Sequence, residues 1–250
     1  QCYQEGRKMY NSCDRIKAAL RHETLDRIPM TEDFWPETIS RWYGEGLSAE
    51  TDISEFLDID AICQITPFND GLDSAFPMII YENTQEYVVE RNSYGVKVKY
   101  WKKKYATHVE LDHEVKNRED WERVKDALYA SDTRFDEKQV AFSKKVREKG
   151  YFIALKCSEP YWFSFKLLGM ENFCIQLKSD PGFIEDICRS YMRFSKDMLR
   201  KTILSGIEWD ALWFFSDMAY KNGPMFSPAD YRRFFLSCHR EISELCHSHG

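Results

Sequence analysis

The sequence predicts an α/β fold built on a parallel sheet, and three observations carry that prediction. Short apolar runs alternate with amphipathic helical patterns along the chain, the order expected of strands crossing over through helices. The run from Trp209 to Phe215 is apolar apart from Asp210 and shows no alternation, as in a strand covered on both faces. The run then breaks at Ser216 and Asp217 into a polar loop, the place where α/β folds gather ligands beyond the carboxyl ends of their strands.

Taken in order, Asp14 to His22 reads as a short amphipathic helix with Ile16, Ala19 and Leu20 on its apolar side. Arg27 to Met30 leads into a first strand whose exit is Thr31-Glu32-Asp33-Phe34-Trp35. On an extended segment neighbouring side chains point apart, so at most one of Glu32 and Asp33 is expected to face the mouth of the sheet. A helix from about Pro36 stops at Gly44, and Asp60 to Ile65 is a second strand carrying Gln64. Met78 to Tyr81 reads as extended. Glu86 to Arg91 and Val96 to Lys102 flank the turn Asn92-Ser93-Tyr94-Gly95 and form a hairpin. Asn117 to Leu128 and Phe135 to Lys149 are helices, and Tyr151 to Leu155 is a third strand. Asp180-Pro181 starts a long helix with Phe183, Ile184, Ile187, Tyr191 and Phe194 on one stripe. After the fourth strand, Ser227-Pro228-Ala229-Asp230 supplies an N-cap, a proline at the first helical position and an acid at the third, and the return helix runs from Ala229 to His249.

Composition narrows the function classes. With 250 residues, 43% hydrophobic and 15% aromatic, the chain can bury a sizeable core. A formal net charge of -6 opposes general affinity for nucleic acid. The basic tract Lys97 to Lys104 is read as a solvated hairpin face, where lysines discourage edge pairing. No apolar run reaches the about 20 residues needed to cross a bilayer, which points to a cytoplasmic protein without a membrane partner. The eight cysteines are scattered and form no CxxC pair, consistent with free thiols in a reducing compartment.

The site candidates lie at strand exits. Asp217 leads them, with loop ordering as its competing role. Glu159, in the exit Cys157-Ser158-Glu159-Pro160-Tyr161-Trp162, is a second candidate acid or base. Glu32, Trp35, Gln64, Tyr161, Trp162 and Lys221 are candidate substrate-binding residues, with core packing the competing reading for the aromatics. No metal ligands are assigned. His108 and His113 stand in a polar setting without a cysteine, and Cys238, His239, Cys246, His247 and His249 do not converge on one side of their helix.

The stretch FFSDMAYKNGPMFSPADYRRFFLSCHREISELCHSHG resembles the uroporphyrinogen decarboxylase superfamily, as do RIKAALRHETLDRIPM near the amino end and EPYWFSFKLLGMENFCIQLKSDPGFIEDI in the middle. The resemblance implies a (β/α)8 barrel of which four strands, near Met30, Cys63, Ile153 and Trp213, fall in this chain together with the hairpin as an insertion. On that reading residues 1–250 are the amino-terminal part of one barrel domain, truncated, or completed by another chain or copy. True decarboxylases of the family carry an arginine-rich loop after the first strand and an aspartate after the second. Here those exits read TEDFWPE and QITPFND, with Pro67 at the aspartate's place. The similarity is therefore to the corrinoid-dependent methyltransferase branch, which implies methyl transfer on a small-molecule substrate, a corrinoid protein as partner, and zinc with ligands beyond residue 250. Tetrapyrrole decarboxylation and a non-catalytic binding subunit are the alternatives.

Overall fold

The computed structural model describes residues 10–102 and 107–249, which divide into two compact units. The first takes the chain up to Thr66 together with 137–156 and 206–213. Helix α1 (Ser12–Leu20) begins where the Asn11 side chain accepts the Asp14 N–H at 2.8 Å. Short helices α2 (Pro36–Gly44) and α3 (Ile53–Phe56) follow. Strands β1 (Ile62–Ile65) and β6 (Phe152–Ser158) pair in parallel, Ile62 opposite Phe152 through Ile65 opposite Leu155. Strand β7 (Ala211–Phe215) lies on the other side of β6, giving the order β1-β6-β7.

Each face of this sheet carries an apolar cluster, and the period of two along each strand decides what each face carries. Ile65, Ile153 and Leu155 pack on one face with Val146 of α5 (Lys138–Glu148) and with Ile207. Phe152 and Ala154 take the other face, against Ile16 of α1, Ile62 and Ala211. Asp210, the one charge in the fourth apolar run, is buried as a cross-tie. Its carboxylate accepts from Arg147 at 2.8 and 2.9 Å and from the Ile153 N–H at 2.8 Å, and pairs with Lys17 at 2.5 Å.

The strand expected near Met30 is absent. Residues 23–35 are irregular, Ile28 is 80% exposed, and Pro29 has no N–H to offer a ladder. Charge holds this segment instead. Arg15 bonds Asp26 at 2.7 and 2.8 Å and also pairs with Asp60, and Asp60 accepts from Arg27 at 2.6 Å and from the Met30 N–H at 3.0 Å. The Asp60 N–H then donates to the Met30 carbonyl at 2.6 Å.

The second unit comprises 67–136, 157–205 and the chain from Phe214 on. Its sheet is antiparallel, in the order β2 (Ile79–Asn83), β3 (Tyr87–Arg91), β4 (Val96–Trp101) and β5 (Val109–His113). The predicted hairpin is β3–β4, paired from Tyr87 opposite Trp101 to Arg91 opposite Lys97. It is the centre of a larger sheet rather than a free-standing insertion. Strand β5 escaped notice because its side chains are almost all exposed and carry no apolar alternation. Lys97 sits 4.8 Å from the Tyr81 ring and Lys99 3.5 Å from that of Tyr87, so these lysines lie on their own sheet. Lys103 and Lys104 of the same tract lie outside the described residues.

Helix α4 (Arg118–Val124) anchors through Trp121, which is fully buried and donates to Asp186 at 2.8 Å. Helices α6 (Pro160–Leu168), α7 (Met170–Ser179) and α8 (Pro181–Leu204) pack on one another. The Asp180 side chain caps α8 at the Phe183 N–H, and the predicted stripe from Phe183 to Phe194 is buried. After the short pair β8 (Ala219–Tyr220) and β9 (Gly223–Pro224), the expected single return helix is two helices, α9 (Pro228–Phe234) and α10 (Leu236–His247). They break at Phe235, which is fully buried with its ring 5.8 Å from Tyr161 and 5.1 Å from Phe226. Among the described residues no helix is long and apolar enough to cross a membrane.

Candidate functional site

Within the first unit the sheet face that buries Phe152 and Ala154 turns polar further along its strands, and a cleft of about 640 Å³ opens there. Gln64 and Thr66 reach it from β1 and its exit, Lys156 from β6 and Trp213 from β7. The irregular segment after Met30 closes the opposite side with Thr31, Glu32 and Asp33. Asp33 accepts from Gln64 Nε2 at 3.4 Å, and its own N–H donates to Glu32 at 3.0 Å. Both carboxylates therefore line the cleft. The expectation that only one would do so rested on strand alternation, which an irregular segment does not obey. Cys63 also lines it, but burial raises the thiol's pKa, so it is held protonated and is a poor nucleophile.

The structure gathers other predicted residues in the second unit. Glu159 is fully buried at the start of α6, where its carboxylate accepts from the N–H groups of Tyr161 at 2.8 Å and Trp162 at 2.7 Å. Ser216 donates to the same carboxylate at 2.7 Å and His239 Nε2 at 3.1 Å. The other ring nitrogen of His239, Nδ1, lies 2.8 Å from the Tyr231 hydroxyl. All of Glu159's acceptor capacity near the chain is engaged, which makes it an anchor for the loop after β7. Tyr161 adds to that anchor by donating to the Asp217 carbonyl at 2.9 Å. Burial and then Glu159 raise the Tyr161 pKa, so the phenol stays a donor.

The remaining candidates are dispersed. The Asp217 side chain is exposed, and Lys221 is exposed in the turn between β8 and β9. Trp162 stacks on Phe165 at 5.3 Å and meets Phe215 edge-on, which is the packing role. Trp35 precedes α2 at 75% exposure and is not among the residues lining the cleft. Of the predicted set, the cleft brings together Glu32 and Gln64. Asp33, which the sequence left as the alternative to Glu32, joins them, and sequence reasoning missed Lys156 and Trp213 there, although the shared parity of Phe152, Ala154 and Lys156 would have pointed to Lys156. It also missed His239 as Glu159's partner, for which no local signal exists.

A donor set for zinc does not form here. Among the described residues no three His, Cys, Asp or Glu side chains come close enough together to hold a metal ion. Cys238 is buried with its thiol toward the Phe234 carbonyl at 3.8 Å, while His239 turns to Glu159. His108 and His113 both approach Glu110, at 3.9 and 3.4 Å.

These features define a mixed α/β protein with a parallel sheet whose polar end carries an acidic cleft. No family model matches the sequence, and no curated protein matches it. Among solved structures, a methyltransferase from Methanosarcina mazei is similar at 16% identity and a TM-score of 0.57, over 94% of this chain and 67% of that one. At that identity the likeness is one of fold.

Proposed function

We propose that this chain takes part in methyl transfer linked to a corrinoid protein, and that the cleft in its first unit receives a small neutral or cationic substrate. One observation carries the reading. The cleft is lined by two carboxylates and one lysine, with no arginine. A tetrapyrrole bearing many carboxylates needs cations, above all arginine forks, and would meet Glu32 and Asp33 with repulsion. Decarboxylation of such a substrate is therefore the weaker reading. The fold likeness to a methyltransferase supports the same choice, and β1, β6 and β7 would then be strands of a (β/α)8 barrel.

In this reading Glu32, Asp33 and Gln64 orient the substrate, and Trp213 supplies an apolar wall that keeps water from the transferring methyl group. Glu159 positions the loop after β7 rather than exchanging protons. The described residues do not fit zinc.

The test is turnover by the natively expressed protein. With methylcobalamin and a thiol acceptor, the absorbance of methylcobalamin should decay as its methyl passes to sulfur, and E32Q/D33N should slow the decay by about tenfold or more. Decarboxylation of uroporphyrinogen instead, or an unaltered rate in the double variant, would overturn the assignment. No turnover of either kind leaves a binding subunit as the better account.

A further inference from the structure

A second concave surface lies in the second unit, along the outer side of α8. Arg189, Arg193, Lys196 and Arg200 follow one another at intervals of four, three and four, which places them in one row on a helix. Together with Met192, Asp197 and Glu241 of α10 they line a groove of about 340 Å³. Its floor is apolar, since Met192 is buried.

The groove's own acids are already engaged. Lys196 pairs with Glu241 at 2.7 Å and Arg200 with Asp197 at 2.9 Å. Arg189 and Arg193 are exposed, and among the described residues neither makes a hydrogen bond or an ion pair. Four cations against two carboxylates leave two positive charges uncompensated, in a chain whose net charge is -6. Arg189 and Arg193 therefore present their donors to an anion that enters the hollow.

From this geometry we propose that the groove binds a small phosphate-bearing anion. Two guanidinium groups one helical turn apart present two planar forks, which suit tetrahedral phosphate oxygens and give charge-assisted bonds. Long nucleic acid is disfavoured because the whole chain repels it, whereas a small anion feels chiefly the charges within a Debye length. The site is separate from the cleft proposed for methyl transfer and does not depend on that reading.

Inorganic pyrophosphate is the probe, titrated calorimetrically into the natively expressed protein at low ionic strength. Saturable one-to-one binding is expected, weakened by about tenfold or more in R189A/R193A, because each lost fork removes a charge-assisted contact. Both arginines are exposed and alanine favours helix, so the variant keeps its fold. K144A/K145A removes the same charge from exposed positions on α5 and should leave the affinity unchanged. Absence of pyrophosphate binding, equal weakening in both double variants, or citrate binding as tightly as pyrophosphate would each overturn the proposal.

Discussion

At the scale of single residues, buried charge does most of the positioning. Glu159 keeps its carboxylate out of water only because four donors reach it, two from its own helix start and two from Ser216 and His239. Glu159→Ala leaves those donors facing a hole, and the unfolding free energy in urea should fall by about 3 kcal/mol. A loss below about 1 kcal/mol would show that the four bonds do not act as an anchor. Asp210 offers a pH-dependent counterpart. Burial alone would raise its pKa, but the bonds from Arg147 and Lys17 and the Ile153 N–H outweigh burial and hold it below the ordinary value. Its contribution is thus present above the unfolded-state pKa of about 4 and is lost as pH falls through the depressed folded value. The stability gap between wild type and Asp210→Asn should be constant near neutrality and shrink below about pH 4; a gap that widened on acidification would reverse the sign.

At the scale of elements, local signals proved reliable where the chain's own chemistry decides. Ser227 and Asp230 form the reciprocal cap that their spacing foretold, with bonds of 3.1 Å each way, and the hairpin turns at Asn92–Gly95 as read. Gly95 explains that turn. Its φ is +73°, and a Cβ there would stand 2.7 Å from the Phe76 ring. Gly95→Ala should therefore lower stability by about 2 kcal/mol, from left-handed strain and the clash together. Thermal unfolding measures it, and an unchanged midpoint would mean that the hairpin relaxes away from Phe76. Where an element depends on distant partners, the reading failed. Residues 23–35 look like a strand entry, yet Asp60, some thirty residues further on, claims Met30 through two bonds and leaves no ladder. The break at Phe235 is likewise imposed by packing on Tyr161 and Phe226, while the helical pattern runs through it.

At the scale of the molecule, the parallel sheet of the first unit explains why a cleft exists. One face is apolar for its whole length, and the other changes from Phe152 and Ala154 to Gln64, Lys156 and Trp213 as the strands proceed. A core closed by Ile16 at one end and left polar at the other yields a pocket without any dedicated motif. The acidic balance of that pocket and the basic row on α8 carry opposite signs, so the ligands proposed for the two surfaces differ in charge. Methylcobalamin turnover tests the first and pyrophosphate titration the second, and either result stands without the other.

By itself the sequence determined the α/β class, the capped helices, the hairpin and three of the four expected parallel strands, because these follow from side-chain periodicity and from turn and cap chemistry within a few residues. Only the tertiary structure decided which groups share a site. It placed Glu32 and Asp33 in one cleft with Gln64, set Glu159 as a buried anchor through a histidine 80 residues away, and left Asp217 exposed. The physical reason is that a carboxylate's role depends on the donors and solvent around it, and those are set by contacts between distant segments that no local pattern records.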